Sequence, residues 1–165
     1  MNQERGFTLI ELMVVLVIIG CLVSLAALSL GGSSNKELRN EAERLAALLT
    51  VLSEEAVLDN REYGLLIKDK RYETLVYDPI LTQWNSLGQK YALNSEIKLA
   101  LKLDGMRLML PVSISENSEK EKPQIMILSS GEFTPFQVRL SNRHGGGNTY
   151  LVVSDGFMLP HIESP

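Results

Sequence analysis

The order of apolar and polar residues divides the chain into three regions. From Phe7 to Leu30 nearly every residue is apolar, and Glu11 is the only formally charged side chain. At about 1.5 Å per helical residue, such a segment reaches about 36 Å, enough to cross a hydrocarbon core of about 30 Å. The pattern therefore predicts a membrane-spanning helix over residues 7–30. A charge inside that span is costly, at least ~2.5–3.5 kcal/mol on insertion scales, so Glu11 requires an explanation.

The second region has the period of an amphipathic helix. Its apolar residues recur at alternating steps of four and three, which places them on one face: Leu38, Ala42, Leu45, Leu49, Leu52 and Ala56. We predict an amphipathic helix over residues 31–58 that packs on a sheet of the same chain and ends at Asp59 and Asn60. The Gly31-Gly32 pair and the capping-box pattern at Ser34 leave two possibilities open. Either a new helix begins near Ser34, or one long helix has a soft joint there.

Residues 59–165 change to the alternation typical of strands. YGLLI and ETLVY flank a KDKR turn, which predicts a hairpin over Tyr63 to Tyr77. Asp104-Gly105 separates two alternating runs and suits a tight hairpin turn. Four further strands are predicted at QIMIL, FQVRL, TYLVV and FMLP, with long loops from Pro79 to Lys90 and from Ser115 to Lys122. The predicted fold class is therefore α+β, a long N-terminal helix packed on a mostly antiparallel β-sheet domain of two sheets.

Composition limits the classes of function that this chain can have. The 165 residues are 45% hydrophobic and 22% charged, with a net charge of -4, so the part beyond the helix has room for one modest domain. The mild acidity argues against a general nucleic-acid binder, which normally carries a basic face. The single cysteine, Cys21, lies in the apolar run, so residues 59–165 can form no internal disulfide.

The N-terminal residues carry a specific motif. The polar stretch MNQERG ends in Gly6, and Phe7, Thr8, Leu9, Ile10 and Glu11 follow at the start of the apolar run. This arrangement resembles the class III leader of type IV pilins and type II secretion pseudopilins. The resemblance implies that a prepilin peptidase removes the leader, residues 1–6, by cutting between Gly6 and Phe7, and that the new amine of Phe7 is methylated. It also implies that Glu11 is an assembly residue, which pairs with the amine of a neighbouring subunit.

The globular part is similar to one branch of that superfamily. RLAALLTVLSEEAVLDNREYGLLI and ILSSGEFTPFQVRL resemble the H-type minor pseudopilin of type II secretion. The resemblance implies a structural subunit near the tip of a periplasmic filament that helps to export folded proteins. The implied partners are the major G-type subunit, the minor I-, J- and K-type subunits of the tip complex, the prepilin peptidase and the inner-membrane secretion platform. The implied location is the bacterial inner membrane, crossed once, with the leader in the cytoplasm and the globular domain in the periplasm.

Other functions have weaker support in the sequence. His144 and three glycines imitate the oxyanion loop of some lipases, but no G-x-S-x-G nucleophile elbow accompanies them, and we read a glycine-shaped loop. We expect no enzyme activity, no cofactor and no metal, and we expect Trp84 to be a packing anchor. The alternative function is a minor pilin of the same fold in pilus biogenesis or DNA uptake, for which Arg139, Arg143 and His144 offer a faint basic patch.

Overall fold

One long helix organises the molecule. The computed structural model describes residues 8–110 and 122–163, with the backbone alone over residues 25–34 of the helix. Helix α1 runs without interruption over Leu9–Asp59, 51 residues. It passes through Gly31-Gly32, so the reading of one long helix is confirmed and Ser34 does not begin a new one. The helix ends at Asn60, whose left-handed backbone (φ 50°, ψ 46°) lets its N–H bond the carbonyl of Ala56.

The predicted apolar stripe of α1 is confirmed as part of the core. All its members are buried: Leu38, Ala42, Leu45, Leu49, Leu52 and Ala56. They belong to one cluster with apolar residues of both sheets, including Leu65, Leu101 and Val138. The second half of α1 is therefore held by tertiary packing of one face, which supplies most of the stability of an amphipathic helix.

Two antiparallel sheets pack on this half of the helix. The first has the order β3-β2-β1-β6, and the second has the order β5-β4-β7-β8-β9. The strands among the described residues are β1 Tyr63–Lys68, β2 Arg71–Asp78, β3 Gln83–Ala92, β4 Ile97–Leu103, β5 Met106–Leu108, β6 Ile125–Ile127, β7 Phe136–Asn142, β8 Tyr150–Ser154 and β9 His161–Glu163. The predicted α+β architecture with two antiparallel sheets is thus confirmed.

Both predicted hairpins form, with their turns at the predicted residues. β1 and β2 are joined by a two-residue turn, and the pair next to this turn is Lys68 opposite Arg71. In the β4–β5 hairpin, Asp104 and Gly105 have φ values of 47° and 80°. Positive φ at both central positions defines the primed turn whose twist matches the strands, and this is why Asp-Gly suits it.

Two predictions for the β-domain are wrong. The segment Pro79 to Lys90, predicted as a loop, is largely the edge strand β3, which is polar and mostly exposed and so lacks the apolar alternation by which strands are recognised. FMLP, predicted as the last strand, lies in the turn after β8, and the last strand is His161–Glu163. The other predicted loop, Ser115 to Lys122, lies outside the described residues except for Lys122.

The first sheet is buried on both faces near its centre. Every residue of β1 is buried, including Lys68, whose Nζ lies 3.8 Å from Oε1 of the fully buried Glu73 on β2. On the same strand, a Cβ at Gly64 would collide with the ring of Pro123. A two-sided burial of this kind is not visible in the alternation of the sequence.

Candidate assembly surfaces

Glu11 lies in the first turn of α1. Thr8 caps the helix: its Oγ1 accepts a bond from the backbone N–H of Glu11 at 3.4 Å, and its carbonyl accepts from the same N–H at 3.1 Å. Thr8 and Glu11 therefore occupy the two positions of a capping box, a signal that was present in the sequence and that our sequence analysis missed. The exposed carboxylate forms no ion pair with any residue that the structure describes. An ion-pair partner for Glu11 is therefore not supplied by the described residues.

The predicted processing site lies outside the described residues. Gly6 and Phe7 both precede the first of these, Thr8. Cleavage between them and methylation of Phe7 stay predictions at this point.

The first half of α1 exposes apolar side chains on all its faces. From Leu9 to Val23, each large apolar side chain is exposed, from 45% at Val15 to 81% at Leu9, and Cys21 is exposed among them. No helix within the described residues meets the combination of length and hydropathy that a membrane crossing needs. The membrane span predicted over residues 7–30 is therefore not confirmed.

A hydrogen-bonded cluster joins the second half of α1 to the first sheet. The hydroxyl of Tyr72 donates to Glu41 Oε1 at 2.9 Å and accepts from Arg44 Nε at 3.2 Å, while the second guanidinium arm of Arg44 reaches Glu41 at 2.8 Å. The guanidinium also lies over the rings of Tyr72 and Tyr91, at 5.8 and 5.5 Å from their centroids. Burial, reinforced by the charge of Glu41, raises the pKa of Tyr72 above its ordinary value, so the phenol stays protonated and keeps donating.

The glycine loop between β7 and β8 returns to the helix. Gly145, Gly146 and Gly147 all have positive φ, between 77° and 83°, which residues with a Cβ rarely adopt. The backbone N–H of Asn148 then bonds Oδ1 of Asn35 on α1 at 3.0 Å. The loop is glycine-shaped, as predicted, but it packs on the helix near the point where α1 enters the domain.

Two of the three residues of the faint basic patch, Arg143 and His144, are paired with acids. Arg143 lies 3.4 Å from Asp69 and also donates to the backbone carbonyls of Ser95 and Ile97. His144 Nε2 lies 3.3 Å from Glu96 Oε2. Arg143 and His144 thus hold the loops of the two sheets together. Arg139, in contrast, borders one surface cavity with Lys98 and Arg107 and forms no ion pair with the described residues.

Trp84 lies on β3 and contacts the first sheet. Its ring is 5.3 Å from that of Tyr77 and stands close to Gly64 on β1. The packing role expected for Trp84 is confirmed, although the loop in which we expected it is a strand.

Within the described residues, no group of three or more His, Cys, Asp or Glu side chains is arranged to hold a metal ion.

Comparison with known proteins identifies the family. The family described as "Type II transport protein GspH" matches residues 41–156, and the prokaryotic N-terminal methylation motif matches residues 1–27. The chain belongs to the GspH family. The type II secretion system protein H of Pseudomonas aeruginosa is 48% identical over 168 aligned positions, covering 99% of this chain and 98% of the relative. The protein of the same name from Aeromonas hydrophila is 30% identical and covers 86% of this chain and 83% of its own.

A solved structure supports the fold independently. The minor pseudopilin EpsH from the type 2 secretion system of Vibrio cholerae matches with a TM-score of 0.64 at 20% identity, covering 78% of this chain and 98% of its own. At that identity the match speaks for the fold alone. The pilin-like arrangement of one long helix on two antiparallel sheets is thus shared by the two proteins.

Proposed function

We propose that this chain is a minor pseudopilin, a structural subunit of the pseudopilus of a type II secretion system. The observation that carries the proposal is that the two halves of α1 differ in burial, in a chain that belongs to the GspH family. One half of the helix is built into the domain, whereas the other half exposes apolar side chains on all sides and has no partner within the described chain. Such a segment needs lipid or neighbouring helices around it, and a filament core supplies the latter.

The location and the neighbours of the subunit follow from this role. The apolar half of α1 crosses the inner membrane once before assembly, with residues 1–6 in the cytoplasm and the β-domain in the periplasm. In the filament the subunit stands near the tip, between the major G-type subunit and the I-, J- and K-type subunits. The family and the methylation motif at residues 1–27 support this placement.

Processing prepares the helix for assembly. A prepilin peptidase cuts between Gly6 and Phe7, and the amine of Phe7 is methylated. Glu11 then pairs with the amino terminus of a neighbouring subunit, because opposite charges attract strongly in a low-dielectric bundle where either alone is poorly tolerated. The exposed carboxylate of Glu11, which has no ion-pair partner among the described residues, supports this role.

Two variants of Glu11 separate its charge from its capping function. Glutamine can serve in a capping box as well as glutamate, but it carries no charge. If pairing matters, Glu11→Gln and Glu11→Val both insert and are cleaved, yet both fail to restore secretion to a strain that lacks this protein. Normal secretion with Glu11→Gln but not with Glu11→Val would reduce Glu11 to a capping residue. As a control on processing, Gly6→Val should retain the leader, which intact mass spectrometry detects.

The same strain tests the function as a whole. The unaltered chain should restore export of folded proteins, and loss of export should accompany loss of the filament. An unaffected secretion profile in the deleted strain would contradict the proposal. The alternative role in DNA uptake predicts salt-sensitive DNA binding, and the acid-compensated Arg143 and His144 do not favour it.

A further inference from the structure

The β-domain has a proximal end, defined here as the end at which α1 enters it. The loops that meet there are residues 69–70, 93–96 and 142–149. Asn148 donates its backbone N–H to Asn35 of α1 at 3.0 Å, and the side-chain amide of Asn94 donates to Glu37 Oε2 at 2.8 Å. Arg143 ties the three loops together through its contacts with the other two. The exposed apolar half of α1 therefore leaves the domain beside these loops.

Three basic residues share one open cavity on the outer face of the second sheet. The cavity has a volume of about 420 Å³, and its basic members, named here the cationic face, are Lys98, Arg107 and Arg139. Asp69 of the proximal loops lines the same cavity, which places it next to the proximal end. The strand register agrees, because Lys98 on β4 is one pair away from the last pair of the sheet at that end, Ile97 opposite Asn142.

The charges of the cationic face are not neutralised by the domain. All three side chains are exposed, and none forms an ion pair with a residue that the structure describes. Asp69, the acid that lines the cavity, is engaged by Arg143 at 3.4 Å. The whole chain carries a net charge of -4, so this group of free cations runs against its overall charge. A complementary partner carries negative charge.

Exposed apolar side chains accompany the cationic face. Met109, which lines the same cavity, is 96% exposed, and Met106 and Leu108 of β5 are exposed beside it. Free cations next to exposed apolar side chains are typical of surfaces that lie on a bilayer, where the cations meet lipid phosphates and the apolar groups reach the acyl boundary. The aliphatic stems of Lys and Arg add to the apolar area.

The helix holds the proximal end at the height of the lipid headgroups. Residues 31–34 add about 6 Å beyond the apolar run, which matches a headgroup layer of about 5–7 Å per leaflet. The apolar run of about 36 Å is longer than a hydrocarbon core of about 30 Å and fits when it tilts by roughly 30–35°. Because α1 is continuous, the domain leans with it, and the side that the lipids attract faces the membrane.

A second copy in the same membrane is a poorer partner for the cationic face. Two copies anchored by the same apolar helix stand at the same depth, so their proximal ends lie side by side. The exposed acids of that end are already engaged within their own chain: Glu37 by Asn94, Glu43 by Arg39 and Glu96 by His144. Lipid headgroups, in contrast, lie beside the face at all times because α1 tethers the domain to them.

We propose that, in the membrane-inserted subunit, the cationic face rests on anionic phospholipid headgroups, with Met109 at the acyl boundary. The inference rests on the proposed function, which it deepens: it assigns the side on which the domain lies before the subunit enters a filament. Lipid phosphates neutralise the three cations, and the domain leans in one defined direction. Assembly then requires the cationic face to leave the membrane surface.

The test uses the full-length chain in vesicles of phosphatidylcholine alone and of equal parts phosphatidylcholine and phosphatidylglycerol. Cys21→Ser removes the only cysteine, and Met109→Cys then carries a fluorophore. Ile80→Cys, exposed in the turn at the other end of β2, is the matched control. A lipid with a nitroxide on its headgroup quenches a probe at the membrane surface. We expect quenching at Met109 to be about threefold stronger in the anionic vesicles, and quenching at Ile80 to be equal in both.

Substitutions then link the quenching to the cationic face. Arg139→Glu should remove most of the excess, because each basic residue near an anionic surface favours contact by about fivefold. Arg139→Lys should retain it, and Arg61→Glu, at the end of α1, should leave it unchanged. High salt should lower it to the level of neutral vesicles. Equal quenching in both vesicle types, or equal effects of Arg139→Glu and Arg61→Glu, would overturn the inference.

Contact between copies and failure of insertion have their own readouts. An emission shift of the Met109 probe that follows the number of chains per vesicle, and not the lipid charge, would mean that copies contact one another and would also overturn the inference. Thermal unfolding followed by Trp84, the only tryptophan, verifies that each unlabelled variant is folded.

A probe inside the apolar half of α1 separates the inference from the proposed function. Val17→Cys, in the same cysteine-free chain, should be quenched by a lipid with a nitroxide on its acyl chain. If it is not quenched, the membrane crossing in the proposed function is wrong, and the lipid contact falls with it. If it is quenched but the Met109 probe ignores lipid charge, only the lipid contact is disproved.

Discussion

The two halves of α1 make opposite use of apolar residues. From Leu38 to Ala56 they occupy one stripe and are buried by the sheets, while from Leu9 to Val23 they cover every face and stay exposed in the single chain. One continuous helix thus has one half packed in its own domain and the other half exposed. The second half is stabilised by its own domain, whereas the first half depends on lipid or on other subunits. Stability of the fold and competence for assembly should therefore respond to different substitutions.

The largest effect on folding is expected in the buried stripe. Leu49 is fully buried, so Leu49→Ala should lower the free energy of unfolding by about 2–5 kcal/mol through lost transfer energy and the cavity left behind. Val17→Ala, on the exposed half, is the matched control and should change it by less than about 0.5 kcal/mol. Denaturant unfolding of the full chain in detergent, followed by Trp84 fluorescence, measures both. Equal losses would contradict the division of the helix.

A smaller effect is expected where α1 ends. The hydroxyl of Tyr63 donates to Asp59 Oδ2 at 2.7 Å, and this bond, together with burial, raises the pKa of Tyr63 to about 12. The folded chain thus keeps a proton that the unfolded chain releases near pH 10, so the contribution of Tyr63 to the free energy of unfolding should be constant below pH 10 and fall between pH 10 and 12. Tyr63→Phe should make this fall shallower and cost roughly 1–2 kcal/mol at pH 7. An equally steep fall in this variant would contradict the assignment.

The smallest effect is expected at the boundary between the two halves. Asn35→Ala removes the acceptor of the Asn148 N–H and should cost about 0.5–1 kcal/mol, because the bond is exposed to water. Hydrogen exchange at the Asn148 amide should become faster, while Asn40→Ala, an exposed position of the same helix, should leave it unchanged. Unaltered exchange in Asn35→Ala would mean that the glycine loop keeps its place without the helix.

Predictions that depend on residues close together in the chain were correct, whereas those that depend on contacts between distant segments were wrong. The stripe from Leu38 to Ala56 and the Asp104-Gly105 turn were predicted correctly, because helical period and turn chemistry act over a few residues. β3 was missed because it pairs with β2 through its backbone while most of its side chains face solvent. A polar stretch of this kind lacks the apolar alternation by which a strand is predicted. FMLP was misassigned because an apolar run looks like a strand unless one knows that Asp155 folds it into a turn.

Sequence alone thus determined the helical period, the buried face of the amphipathic segment, the two hairpins and the N-terminal motif typical of the superfamily, since each depends on residues close together in the chain. The continuity of α1 through Gly31-Gly32 was left open and was decided by the structure. Tertiary structure alone decided that Lys68 and Glu73 are buried together, that Asn148 bonds Asn35, and that the polar segment Gln83–Ala92 is an edge strand. The physical reason is that these arrangements depend on pairing between strands and loops far apart in the chain, which no local pattern encodes.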